Sequence, residues 1–234
     1  VVVSGSQGQF IPLEDLIEEH APNVKAFFEA RPSIKGMMTA PDGHIYSIPQ
    51  YDEAPWASSN DALFINTDWL DQVGMDMPKT TEEFKEVLKA FKENDMNGNG
   101  DSNDEIPFSF TFTNHIRGAH SLSGSFGVLG RYTGVEDGQV YYAPTKPEYK
   151  DYVNYMHELY SEGLIDQEAF THDVQVYDSK IKNSETILGA YFSWSTYSDY
   201  GTTDSPYEVV APLEGPDGHQ GWNTAGEGTM SQSG

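Results

Sequence analysis

The sequence predicts an α/β fold with at least one mainly parallel sheet. Three observations carry this. Short apolar runs alternate with amphipathic helical segments along the chain. One helix is announced by a capping box, Thr80 with Glu83, ahead of Phe84, Val87, Leu88 and Phe91 at spacings of three and four. The chain has 234 residues, 37% apolar and 13% aromatic, enough to build a sizeable core.

Val1–Val3 reads as a buried strand. Pro12–His20 reads as a helix with Pro in its first turn and acids near its start. A second helix is expected from Val24 to Glu29, ended before Pro32. Asp42-Gly43 is a turn signal, with a strand at Ile45–Ile48 behind it. Ala62–Asn66 is the next strand, and Thr67–Gly74 a short helix stopped by glycine, with Trp69 in the core. The capped helix ends at about Asn94. Pro107–Phe112 is a strand. A glycine-spaced stretch covers 124–130, and a hairpin turning at Asp137-Gly138 covers 131–142. Pro147–Glu162 is a helix presenting Tyr149, Val153, Met156, Leu159 and Tyr160 on one face. A polar, helical segment runs to Asn183, followed by strands at Thr186–Phe192 and Tyr207–Leu213.

Between the capped helix and its strand lies Asp95-Met-Asn-Gly-Asn-Gly-Asp-Ser-Asn-Asp-Glu-Ile-Pro107. Asp95, Asn97 and Asn99 hold places one, three and five of an EF-hand-like loop, with Gly100 at the sharp turn. Asp101 at place seven can offer its carbonyl. Place twelve is Ile106, which cannot ligate, so Glu105 is the expected closing carboxylate. A strand rather than a helix follows. These features predict a structural Ca²⁺ loop of the helix–loop–strand kind. An acidic Asn/Gly turn that binds nothing is the competing reading.

Net charge is −24, which argues against nucleic-acid or anionic-membrane partners. There is no cysteine, so disulfides, thiolate metal sites and a Cys nucleophile are excluded. There is no apolar run of transmembrane length. No HExxH, GxSxG or Walker pattern occurs, and the histidines are isolated. What remains is aromatic: Trp56, Trp194, Tyr197, Tyr200 and Trp222 lie in polar, non-periodic segments. Flat rings beside hydrogen-bonding groups suit sugar rings or other small ligands, although each could equally pack at a loop base.

Seven motifs in register resemble one family. They are FxPLxDLIxxxAPN (Phe10–Asn23), DGxIYxIP (Asp42–Pro49), INxxWLDxxG (Ile65–Gly74), PxTxEEF (Pro78–Phe84) and the Asp95–Pro107 loop. LYxEGLID (Leu159–Asp166) and APLxGPDG (Ala211–Gly218) complete the set. The chain resembles the bacterial extracellular solute-binding proteins of ABC importers, in the carbohydrate-type, lipoprotein-like group. The resemblance implies a two-lobe, periplasmic-binding-protein-like (type II) fold, present here as an internal fragment. Residues 1–57 would belong to the first lobe, 58–211 to most of the second, and 212–234 to the return crossing.

The resemblance also implies a monomeric, non-catalytic protein that captures a mono- or oligosaccharide in the cleft and delivers it to transporter membrane subunits. It would be extracellular and lipid-anchored in the full-length protein. Trp56, Trp194 and Tyr197 become the leading ligand platforms, with Asp52, Asn60, Arg117 and Trp222 as weaker candidates. Asp95, Asn97, Asn99, Asp101 and Glu105 would hold a structural Ca²⁺ away from the ligand. The rival from another class is a secreted, calcium-stabilised glycan hydrolase, which needs a carboxylate pair facing the aromatic site.

Overall fold

The structure is a computed structural model. It describes residues 2–52, 61–112, 118–129, 132–136, 138–202, 204–221 and 229–231. The chain divides into two compact units, Val1–Ser58 with Gly226–Gly234, and Ser59–Ala225.

The first unit is mainly helical: α1 (Val2–Ser6), α2 (Glu14–His20), α3 (Pro22–Ala30) and α4 (Pro32–Met38). Prolines open α3 and α4, where a missing N–H costs nothing. Ile17, Phe28, Ile34, Met38 and Ile45 form its core. Two expectations are corrected. Val2 and Val3 begin a helix, because a short apolar run does not by itself separate strand from helix. Ile45–Ile48 is no strand: Ile45 makes one bridge, to Thr39, across the Asp42-Gly43 turn. Asp42 Oδ1 accepts the His44 N–H there, and Gly43 takes φ +90°. The strand comes later, β1 (Gln50–Asp52), paired antiparallel with β8 (Thr229–Ser231).

The second unit is built on a four-stranded sheet. In chain order it comprises β2 (Ala62–Asn66), α5 (Thr67–Val73), α6 (Thr81–Glu93) and β3 (Ile106–Ser109). A 3₁₀ segment (Ala119–Phe126) and the hairpin β4 (Thr133–Glu136) and β5 (Gln139–Tyr142) follow. Then come α7 (Pro147–Ser161), α8 (Val174–Ile181), β6 (Leu188–Ser193), α9 (Thr196–Tyr200) and β7 (Tyr207–Val209). Strand order is β3-β6-β2-β7. β3 runs parallel to β6, but β2 is antiparallel to both neighbours. The expected mainly parallel pairing is therefore corrected. Alternation of helix and strand reveals how strands are connected, not which distant strands flank β2.

Side chains alternate across the sheet. Leu63, Ile65, Ala190 and Phe192 join α5, α6 and α7 in the larger core, while Phe64, Tyr191 and Tyr207 meet α8 on the other face. The Thr80–Glu83 capping box is complete, and Phe84, Val87, Leu88 and Phe91 are all buried. Gly189 lies where an added Cβ would come within 2.6 Å of the Phe91 ring and 2.8 Å of the Pro107 carbonyl, so α6 can approach β6 closely. Gly74 takes the left-handed stop of α5 at φ +67°. On α7 the buried face is Tyr152, Tyr155, Met156 and Leu159. Val153 is 44% exposed, which moves the predicted stripe by a fraction of a turn. The Gly-spaced stretch falls largely within the 3₁₀ segment and its Gly127 stop. Residues 212–221, part of the segment expected on a return crossing, cluster with this unit. Leu213 is in its core, and Glu214 N–H bonds the Lys79 carbonyl. No described helix is long and apolar enough to cross a membrane.

Candidate functional site

The carboxyl ends of β3 and β6 point the same way, and the amino end of antiparallel β2 shares that edge, Ala62 standing opposite Ser193. Ligands of open α/β sheets collect at such edges. Asp61, just ahead of β2, is buried. Its Oδ2 accepts the Gly118 N–H at 3.2 Å and the Ser121 hydroxyl at 2.5 Å. The edge thus brings together the chain neighbours of three predicted residues: Asp61 beside Asn60, Gly118 beside Arg117, and Ser193 beside Trp194.

Trp194 follows β6 directly and is 51% exposed; Tyr197, one turn on, is 63% exposed. Two large rings are presented to solvent by a loop whose base is buried. Tyr200, the third ring of this segment, packs instead. It stacks on Tyr207 and its hydroxyl donates to the Ile181 carbonyl at 2.7 Å. Trp69 is core, as expected. Asp52 closes β1 opposite Thr229 in the other unit. Trp56, Asn60, Arg117 and Trp222 lie outside the described residues. Asp199 has no signal in the sequence. It is buried, and it accepts the Ser193 hydroxyl at 2.9 Å and the Tyr191 hydroxyl at 3.3 Å.

The Asp95–Pro107 loop folds around its own oxygens. Asp95 accepts N–H groups from Gly98, Asn99 and Gly100 at 2.8–3.2 Å, and Gly98 and Gly100 take φ of +74° and +94°. Asn97 Oδ1 and Asn99 Oδ1 accept the N–H two places on, from Asn99 and Asp101. Asp101 turns outward to Asn103. Its carboxyl is held below the usual carboxylate range, chiefly by the Asn103 side chain and N–H. Glu105 reaches back to the loop's start, its Oε1 accepting Met96 N–H at 2.7 Å. Asp104, left out of the expected ligand set, accepts the Asn99 side-chain amide at 2.7 Å.

Among the described residues no three acidic or histidine side chains converge as a ligand cluster. Asp104 Oδ1 and Glu105 Oε2 are nevertheless buried without a protein partner. Buried, unpaired carboxylate oxygens are costly unless something cationic meets them. The residues present therefore fit a hard, oxygen-seeking cation.

The chain belongs to the bacterial extracellular solute-binding protein family, whose profile matches residues 1–230. Its fold is that of the type II, two-lobe class. It is 40% identical over 222 residues to the fructooligosaccharide ABC transporter substrate-binding protein FusA of Streptococcus pneumoniae serotype 4, covering 92% of this chain and 40% of FusA. It is 31% identical to lipoprotein LipO of Bacillus subtilis strain 168, covering 98% of this chain and 49% of LipO. The solved complex of S. pneumoniae FusA with kestose superposes with a TM-score of 0.77 at 38% identity, over 92% of this chain and 45% of that one. A FusA EF-hand mutant with fructo-nystose gives 0.76 at 38% identity, with the same coverage. The chain thus spans about half, or less, of the length of these relatives.

Proposed function

We propose that this chain is part of the substrate-binding component of an ABC importer and captures an oligosaccharide without catalysis. The observation that carries the reading is the pair of solvent-facing rings, Trp194 and Tyr197, on the loop leaving the carboxyl edge of β6. Aromatic faces beside hydrogen-bonding groups are the recurrent means of holding a pyranose or furanose ring. Kinship with FusA supports a fructose-containing oligosaccharide as the first ligand class to try. Asn60, Arg117, Asp52, Trp56 and Trp222 are proposed to complete the site. The unit formed by 1–58 with 226–234 contributes to one lobe, and 59–225 to the other. The full-length protein works as a monomer outside the cell, held by a lipid anchor, and hands its ligand to transporter membrane subunits. Kinship with a protein named lipoprotein LipO supports the anchor.

We also propose that the Asp95–Pro107 loop holds a structural Ca²⁺. Asp95, Asn97, Asn99, Asp101 and Glu105 supply oxygens, and Asp104 joins them through its unpaired oxygen. The ion's contribution is to neutralise converging oxygens and pin α6 to β3.

Calorimetric titration of the full-length protein with kestose and a panel of other glycans tests the ligand reading. Micromolar or tighter binding of at least one glycan is expected, and Trp194→Ala should weaken it about tenfold or more, roughly 1.4 kcal/mol. A protein that ignores every glycan yet binds a peptide or polyamine would overturn the sugar assignment.

A further inference from the structure

The loop carrying Trp194 and Tyr197 has little to hold it in place by itself. α9 spans only five residues, far too short to be stable alone. Its local devices are modest: Ser195 Oγ caps the Ser198 N–H at 3.1 Å, and Gly201 ends the turn at φ +70°. The two rings are 51% and 63% exposed, so much of each faces solvent. What fixes the loop lies underneath it.

Asp199 turns inward from α9 and is 5% exposed. Its Oδ1 accepts the hydroxyl of Ser193, the residue before Trp194, at 2.9 Å. Its Oδ2 accepts the hydroxyl of Tyr191 at 3.3 Å. Ser193 and Tyr191 are themselves fully buried in β6. The carboxylate therefore ties the outgoing limb of the loop to its returning limb. A buried carboxylate demands such donors, and two donors on one strand define its place closely. Behind it the rings of Tyr191, Tyr207 and Tyr200 pack in series, at 4.9 Å and 5.9 Å between centroids. The floor is packed aromatic side chains, and the Asp199 side chain bolts the loop to it.

We propose that Asp199 is a positioning residue for ligand recognition: its buried carboxylate closes the turn from Ser193 to Asp199 and so sets the directions of the Trp194 and Tyr197 rings. This rests on the reading of those rings as the sugar platform. A loop ordered before binding loses less freedom when the ligand arrives, so the bolt acts on affinity. Asparagine at this position keeps the shape but replaces one acceptor with a donor. It can then accept from only one of the two hydroxyls, and the other must turn its proton away and accept from the amide.

The test uses full-length protein, with kestose as the probe, and compares wild type, Asp199→Asn, Trp194→Ala and the double variant. Affinity comes from calorimetry. Quenching of Trp194 emission by acrylamide, isolated by subtracting a Trp194→Phe variant, reports ring order without ligand. Asp199→Asn is expected to weaken binding about fivefold to tenfold and to raise Trp194 quenching. Added to Trp194→Ala, Asp199→Asn should cost less than it does in the wild type, since only the Tyr197 ring is then left to position. Should Asp199→Asn fail to fold, Ser193→Ala and Tyr191→Phe each remove one donor and carry the same expectations. Asp166→Asn, in a buried network elsewhere in the unit, should lower the melting temperature and leave affinity alone.

Losses that multiply in the double variant, or unchanged affinity and quenching in Asp199→Asn, would overturn the proposal. Wild-type affinity in Trp194→Ala would overturn the platform reading and the proposal with it. A fall in affinity for Trp194→Ala but none for Asp199→Asn would overturn the positioning role alone.

Discussion

Asp166 shows what a single residue can hold together. Its Oδ2 accepts the Ser109 hydroxyl at 2.7 Å and the Lys180 ammonium at 2.7 Å, and its Oδ1 accepts the Glu168 N–H at 3.0 Å. Lys180 also reaches Glu168, and His172 Nε2 meets the Phe110 carbonyl at 2.9 Å. Burial pushes the Asp166 pKa up, but Lys180, Ser109 and the Glu168 N–H outweigh it, and the carboxyl is held below the usual carboxylate range. A folded pKa below the unfolded value of about 3.9 means stability that is present above that pH. It is lost as pH falls through the folded pKa. Asp166→Asn should therefore cost roughly 3 kcal/mol at neutral pH, because Lys180 keeps its charge with one partner fewer. The cost should shrink towards zero in strong acid. Urea melts at pH 7 and pH 3 check this, and an equal cost at both would contradict it. Nothing in the motif ending at Asp166 names Ser109 or Lys180 as partners, since they arrive from β3 and α8. Asp199 was invisible for the same reason, and Trp194 was legible only as a large ring in polar company.

At the scale of elements, legibility followed length and caps. α6 was readable because its capping box and its apolar spacing agree, and tertiary burial then had nothing to overrule. β2, α5 and the β4–β5 hairpin were readable for similar reasons of pattern and turn chemistry. Val2–Ser6 and Ile45–Ile48 were not, since a run of three or four apolar residues fits strand, helix or bridge alike. The Asp95–Pro107 loop was readable as a turn folded around its own oxygens, but its closing acids were only half resolved. Spacing suggested Glu105 alone, whereas the folded loop also turns Asp104 inward, with an unpaired oxygen on each. If this loop is a staple between α6 and β3, chelation should lower the melting temperature by several degrees, and added Ca²⁺ should restore it. Ligand preference should stay the same. A changed order of glycan affinities in chelator would show that the loop reaches the binding site.

For the whole molecule, charge is the dominant sequence-level fact. A net charge of −24 repels itself in the compact state, and salt screens that repulsion over about 10 Å at 0.1 M. In chelator, so that calcium does not intervene, raising NaCl from about 10 mM to 300 mM should raise the melting temperature by a few degrees. Calorimetric scans at both concentrations decide it, and a fall would mean that ion pairs such as those of Lys180 with Asp166 and Glu168 outweigh the repulsion. The sequence by itself determined the α/β class, the family, the capped helix and the oxygen-rich turn after it. Each is written in contiguous residues whose spacing answers a local physical demand. Only the tertiary structure decided that β2 runs against its neighbours, that 212–221 packs with the second unit, and that Asp199 lies beneath the exposed rings. These depend on which distant segments share buried surface and hydrogen-bonding groups, and no local spacing encodes that choice.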